Sequence, residues 1–87
     1  MDFEFDPAKS ASNKEKHGLD FIEAQALWLD EKRVEAPARS HDEERWVLVA
    51  MLDGRHWTAV YTMRGAVVRL ISVRRSRGYE VENYLGR

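Results

Sequence analysis

The pair Asp53-Gly54 narrows the folds open to this chain more than any other feature, because an Asp-Gly dipeptide between two strand-forming runs closes a two-residue hairpin. Arg45–Leu52 precedes it and Arg55–Met63 comes after, both rich in Val, Ala, Thr and aromatic residues. Arg64-Gly65 makes a second tight turn into Ala66–Val73. Three consecutive antiparallel strands form a meander, and its apolar face must be covered by something else.

The segment ahead of the meander supplies the cover. Phe3 and Phe5 alternate with acids and predict a short strand with one buried face. Asp6-Pro7 opens a helix, with Asp as the cap and Pro where a missing N–H costs nothing. Lys14, Lys16 and His17 suit the negative end of its dipole, and Gly18 can end it in the left-handed conformation. Asp20 and Glu23 have capping-box spacing, with Leu19 and Ala24 placed for a staple. Phe21, Ala24 and Trp28 then mark the buried stripe of a second helix reaching Leu29. Lys32–Ala36 reads as a strand stopped by Pro37, Ala38–Glu44 as a polar loop, and Gly78–Leu85 as a short closing helix. The expected class is α+β: an antiparallel sheet made of the meander and short N-terminal strands, with two N-terminal helices and one at the C-terminus. At 87 residues a single domain spanning 1–87 is expected.

Two-residue turns fix a register, with Val49 opposite Thr58, Val47 opposite Val60, Thr62 opposite Val67 and Val60 opposite Arg69. One face then carries Trp46, Leu48, Ala50, Trp57, Ala59, Tyr61, Val68 and Leu70, and the helices should pack there. The other carries Val47, Val49, His56, Thr58, Val60, Thr62, Val67, Arg69 and Ile71, a pattern suited to an apolar groove. Alternation sends Arg69 and Arg75 to the groove side and Arg74 to the opposite face.

Charge is unevenly spread. Residues 1–63 hold thirteen acids against eight Lys and Arg, while residues 64–79 hold Arg64, Arg69, Arg74, Arg75 and Arg77 and no acid. Arginine presents a planar fork of donors that fits phosphate, so this stretch predicts a polyanion-contacting surface; a solvated, paired edge is the plainer alternative. With no cysteine there is no disulfide framework and no thiolate chemistry. No apolar run approaches the ~20 residues of a membrane span, and the acidic start is unlike a signal peptide, so a soluble cytoplasmic protein is expected.

A cluster of guanidiniums can stabilise the extra negative charge of a pentacoordinate phosphate. Histidine is the side chain that ordinarily changes charge near neutral pH, which makes His17, beside Lys16, the first candidate for proton transfer; a helix-end cation explains both residues as well. His41 and His56 are weaker candidates, and Glu44 at the start of a strand could supply a carboxylate base. The three histidines are too scattered to argue for metal.

Several segments taken together resemble the BrnT family. They are Phe3-Glu4-Phe5-Asp6-Pro7-Ala8-Lys9, Asn13-Lys14-Glu15-Lys16-His17-Gly18, Phe21-Ile22-Glu23-Ala24, Glu44-Arg45, Tyr61-Thr62-Met63-Arg64-Gly65 and Arg69-Leu70-Ile71-Ser72-Val73-Arg74-Arg75. Phe5 stands where the family often has Trp, and Ala50 where it often has Gly; both read as packing changes. The resemblance implies a RelE-like fold and a ribonuclease toxin of a type II toxin–antitoxin pair, cleaving mRNA without metal or other cofactor. It also implies a BrnA-type ribbon-helix-helix antitoxin, a complex of two toxins with two antitoxins, and operator DNA bound through the antitoxin. Arg64, Arg69, Arg74 and Arg75 would contact the phosphate. Lys16 or His17, and Glu44, would transfer protons, and Arg45, His56 and Arg77 would make further RNA contacts. A non-catalytic homologue that only binds antitoxin as co-repressor is the alternative. In either case the groove left bare by the antitoxin should make the free chain self-associate.

Overall fold

The computed structural model describes residues 1–39 and 43–86. Its strands are β1 (Asp2–Glu4), β2 (Val34–Ala38), β3 (Arg45–Leu52), β4 (Arg55–Arg64) and β5 (Val67–Arg75), in one sheet of order β1-β5-β4-β3-β2. The helices are α1 (Pro7–His17), a 3-10 helix over Glu23–Leu29, and α2 (Gly78–Tyr84).

The signals that depend on neighbours in sequence hold. The Asp6 carboxylate accepts the Ala8 N–H at 2.8 Å, and Gly18, at φ 89°, donates its N–H to the Lys14 carbonyl at 2.9 Å, closing α1 at both ends. The capping box forms: Glu23 N–H donates to Asp20 Oδ1 at 2.7 Å, and Asp20 N–H to Glu23 Oε1 at 3.0 Å. The segment beyond this box winds as a 3-10 helix instead of the expected α-helix. The tighter turn brings Ala24 and Leu27, three residues apart, onto one line, and both are completely buried. Asp53 and Gly54 take φ 53° and 76° in the first hairpin, and Val49 faces Thr58 as the register requires.

Long-range pairing departs from expectation in four places. β1 runs parallel to β5, with Phe3 beside Val68 and Glu4 beside Arg69. β2 continues through Pro37 to Ala38, because an edge strand has a free side on which a missing N–H is tolerated. The second turn is Gly65-Ala66, with Arg64 still paired to Val67; Gly65 at φ 61° takes the first central position, where a positive φ is needed. Thr62 therefore faces Arg69. Beyond Tyr61–Leu70 the ladder slips, Val60 faces Ser72, and Ile71 is the extra residue of a bulge.

The bulge inverts the outcome of alternation at the end of β5. Val73 joins the core, completely buried, and the two arginines after it exchange faces. Arg75 lies over the Trp57 ring, 5.6 Å from its centroid, while Arg74 lines the groove face. The core face gathers Leu48, Ala50, Trp57, Ala59, Tyr61, Val68 and Leu70 under Phe21, Ala24, Leu27 and Trp28. Phe3 and Tyr61 meet Trp28 edge-on at 5.1 and 5.3 Å, and Phe5 meets Phe21 at 5.7 Å. The helices do not all pack there. α1 lies along β5, and α2 packs against β3 on the opposite face. A groove of about 360 Å³ remains between α2 and β2, with Val34, Pro37, Val47, Val49, Tyr79 and Arg74 among its walls.

Candidate nucleic-acid interface

Asn13 decides how the end of α1 meets the sheet. β1 covers the outer edge of β5 only as far as Arg69, which leaves the backbone of Val73 without a strand partner on that side. Asn13 takes its place. Its Oδ1 accepts the Val73 N–H at 3.1 Å, and its Nδ2 donates to the Val73 and Leu19 carbonyls at 2.8 Å each. Ser10 supports the same junction by accepting the Phe21 N–H at 2.9 Å. The segment from Asn13 to Gly18 thus clamps the helix end to the bulged part of β5.

Beside that clamp lies a hollow of about 220 Å³, lined by Lys9, Ser12, Asn13, Lys16, His17, Ile71 and Ser72. It contains three basic side chains and no acid. Among the described residues, Lys9, Lys16 and His17 have no carboxylate within ion-pair distance, whereas Lys14, on the other side of the same helix, meets Glu23 at 2.8 Å. That contact raises the Lys14 pKa and, with the Asp20 backbone hydrogen bond foremost, lowers that of Glu23.

The arginines divide among separate surroundings. Arg69 Nη1 donates to Glu4 Oε2 at 3.0 Å, its neighbour across the parallel strand pair. Arg64 stands 4.0 Å from Glu4 and 3.9 Å from Glu43, which is also 3.9 Å from Arg45. These pairs are partly exposed and each contributes at most ~1 kcal/mol, so a phosphate can compete for the guanidiniums. The Glu44 carbonyl accepts the Thr62 hydroxyl at 2.6 Å, which fixes its backbone beside the same cluster.

Arg74 is held quite differently. Its Nη1 and Nη2 donate to the two Glu80 oxygens at 2.8 and 2.9 Å, a bidentate pair. Glu80 is buried and also accepts the Thr58 hydroxyl at 3.0 Å and the Arg77 N–H at 2.8 Å. Burial alone would raise the Glu80 pKa; the Arg74 guanidinium, the Arg77 N–H and Thr58 together outweigh it and hold the group down at about 2. His56 lies edge-on to Tyr84 at 4.9 Å, under α2, with Nε2 buried and without a hydrogen-bond partner among the described residues. Tyr84 donates to Asp30 at 2.6 Å, and that bond foremost pushes its pKa up to about 12. Arg77 is exposed at the start of α2, and His41 lies outside the described residues.

The expected convergence of guanidiniums on one cavity is therefore not what the fold produces. Arg64, Arg69 and Arg45 gather around Glu4 and Glu43, Arg74 binds Glu80 beneath α2, and Arg75 stacks on Trp57. Lys16 and His17 do share a cavity, together with Lys9, Ser12 and Ser72, three residues that charged motifs alone do not single out. The signal for Lys9 and Ser12 lies in the spacing, since positions 9, 12, 13 and 16 fall on one stripe of a helix; Ser72, on β5, carries none. Among the described residues no three His, Asp or Glu side chains are grouped to hold a metal ion.

The family model of the ribonuclease toxin BrnT, of type II toxin–antitoxin systems, matches residues 5–80. The chain belongs to this family. The match takes in α1, the 3-10 helix and strands β2–β5, and it ends on Glu80, the residue that ties α2 to the sheet. No curated protein is significantly similar to the chain. A BrnT-family toxin has a protein antitoxin as partner, as the type II system requires, and no helix among the described residues is long and apolar enough to cross a membrane.

Proposed function

We propose that this chain is a metal-independent endoribonuclease that cleaves mRNA in the cytoplasm and so stops translation. The family match over residues 5–80 carries the reading. The α1–β5 hollow supports a place for the chemistry, since Lys16 and His17 stand there without carboxylate partners among the described residues, beside the strand that bears Arg69. In the proposed reaction a base removes the ribose 2′-OH proton and the oxygen attacks the neighbouring phosphorus. The bond to the 5′ oxygen breaks, a 2′,3′-cyclic phosphate remains, and an acid protonates the leaving oxygen. Lys16, His17 and Glu44 are the proton-transfer candidates. Arg64 and Arg69, which gather around Glu4, would stabilise the phosphate charge, and Arg45 and Arg77 would contact flanking RNA; Arg75, over Trp57, and His56, beneath α2, are given no RNA contact. We assign Arg74 to holding α2, because most of its fork is spent on Glu80.

The proposed partner is a BrnA-type ribbon-helix-helix antitoxin, two copies with two toxins, binding operator DNA through the antitoxin. The groove between α2 and β2 is the apolar surface such a partner could cover. A second reading, a non-catalytic co-repressor, is favoured by one observation: Arg64, Arg69 and Arg74 all face carboxylates. One experiment separates the two. Purified chain incubated with RNA should yield cyclic-phosphate ends, unaffected by EDTA and suppressed by antitoxin, and Arg69→Ala should abolish the cleavage while changing stability by less than ~1 kcal/mol. Intact RNA together with tight antitoxin binding gives the co-repressor.

A further inference from the structure

Lys9, Ser12 and Lys16 form one stripe of α1, spaced i, i+3 and i+7, and they line the same hollow as Ser72 and His17. At 1.5 Å per residue the two lysines stand about 10 Å apart along the helix axis. The lining offers ammonium and hydroxyl groups, and Ile71 is its only large apolar side chain. Such a surface suits a string of phosphates, and among its described lining residues His17, at the end of the helix, is the one ring on which a base could stack, a contact that is tolerant of sequence. The chain has acids available for pairing, yet it spends Glu23 on Lys14 and leaves this stripe without an ion pair among the described residues. The clamp by Asn13 sets the stripe alongside β5, where Ile71 and Ser72 complete the hollow.

We infer that Lys9, Ser12 and Lys16 form a track for the phosphate backbone of single-stranded RNA, which holds the strand flanking the cleaved bond without reading its sequence. The inference rests on the ribonuclease reading and adds Lys9, Ser12 and Ser72 to the residues that meet the nucleic acid.

The test is binding of a 2′-O-methyl oligonucleotide, which cannot undergo 2′-OH attack, measured by fluorescence anisotropy over a range of salt concentrations. Each phosphate contact to a single strand contributes about 0.7 to the slope of log K against log salt. Lys9→Gln and Lys16→Gln should each lower the slope by about 0.7, which is about fivefold weaker binding at 0.1 M salt, and the double variant by about 1.4. Lys14→Gln, on the far side of the helix, should leave the slope unchanged. Wild-type cleavage of unmodified RNA is measured alongside. If the wild type cleaves and binds but Lys9→Gln keeps the full slope, or Lys14→Gln loses as much, the track is wrong and the ribonuclease stands. If the wild type neither cleaves RNA nor binds the oligonucleotide, both fall. Binding of polyglutamate with the same lysine dependence would identify an acidic protein segment as the occupant and overturn the RNA track.

Discussion

Replacing Glu80 by Gln keeps the shape of the side chain and removes the charge that Arg74 meets through two hydrogen bonds. Glu80 ionises at about 2 in the folded chain against 4.5 for an ordinary glutamate, and at 1.36 kcal/mol per pH unit the difference is about 3 kcal/mol of stability at neutral pH. Removing one partner of a buried pair costs ~3–5 kcal/mol in other proteins, so two routes agree on the size. For a domain of 60–100 residues each kcal/mol moves Tm by ~4–8 °C, and Glu80→Gln should melt ~12–24 °C lower. The sign with pH comes from the depressed pKa. The stabilisation is complete above about 4.5 and disappears as pH falls through about 2, so the gap between wild type and variant must close over that window. Circular-dichroism melts and urea titrations from pH 7 to pH 2 measure it, with Glu82→Gln, exposed on the same helix, as control. A gap below ~1 kcal/mol at pH 7, or one that stays constant down to pH 2, would refute the idea that this ion pair fastens α2.

Asn13→Ala removes three hydrogen bonds to backbone groups of Val73 and Leu19, and at ~0.5–1.5 kcal/mol each the loss should be ~2–4 kcal/mol by urea denaturation. Faster amide exchange at Val73 should accompany it. Arg69→Ala breaks only a partly exposed pair with Glu4, so its stability should change by less than ~1 kcal/mol while RNA cleavage is lost. Phe21→Ala empties a completely buried site beside Phe5 and should cost ~3–5 kcal/mol, read as a lower urea midpoint at unchanged m. Arg75→Ala should cost no more than ~1 kcal/mol, the scale of an exposed cation–π contact with Trp57, and should shift the Trp fluorescence.

The candidate site was legible in part. His17 and Lys16 were visible as residue types at a helix end, and the arginine-rich stretch was visible as composition. The partners of the arginines were not. Glu4 precedes Arg69 by 65 positions, and only the parallel pairing of β1 with β5 makes them neighbours. Arg74 and Glu80 are only six positions apart, yet their contact needs α2 to fold back over the groove face, a matter of packing and not of helical spacing.

The sequence by itself determined those features that short-range forces can enforce: the two caps of α1, the capping box at Asp20 and Glu23, the Asp53-Gly54 turn and the register that it dictates between β3 and β4. These are contacts between groups a few residues apart, for which local dihedral preference and hydrogen bonding suffice. Tertiary structure alone decided that Ile71 bulges, and with it which of Arg74 and Arg75 faces the groove. A strand's side chains alternate strictly until one residue is left unpaired, and whether that happens depends on how β4, Asn13 and the core compete for the backbone of β5.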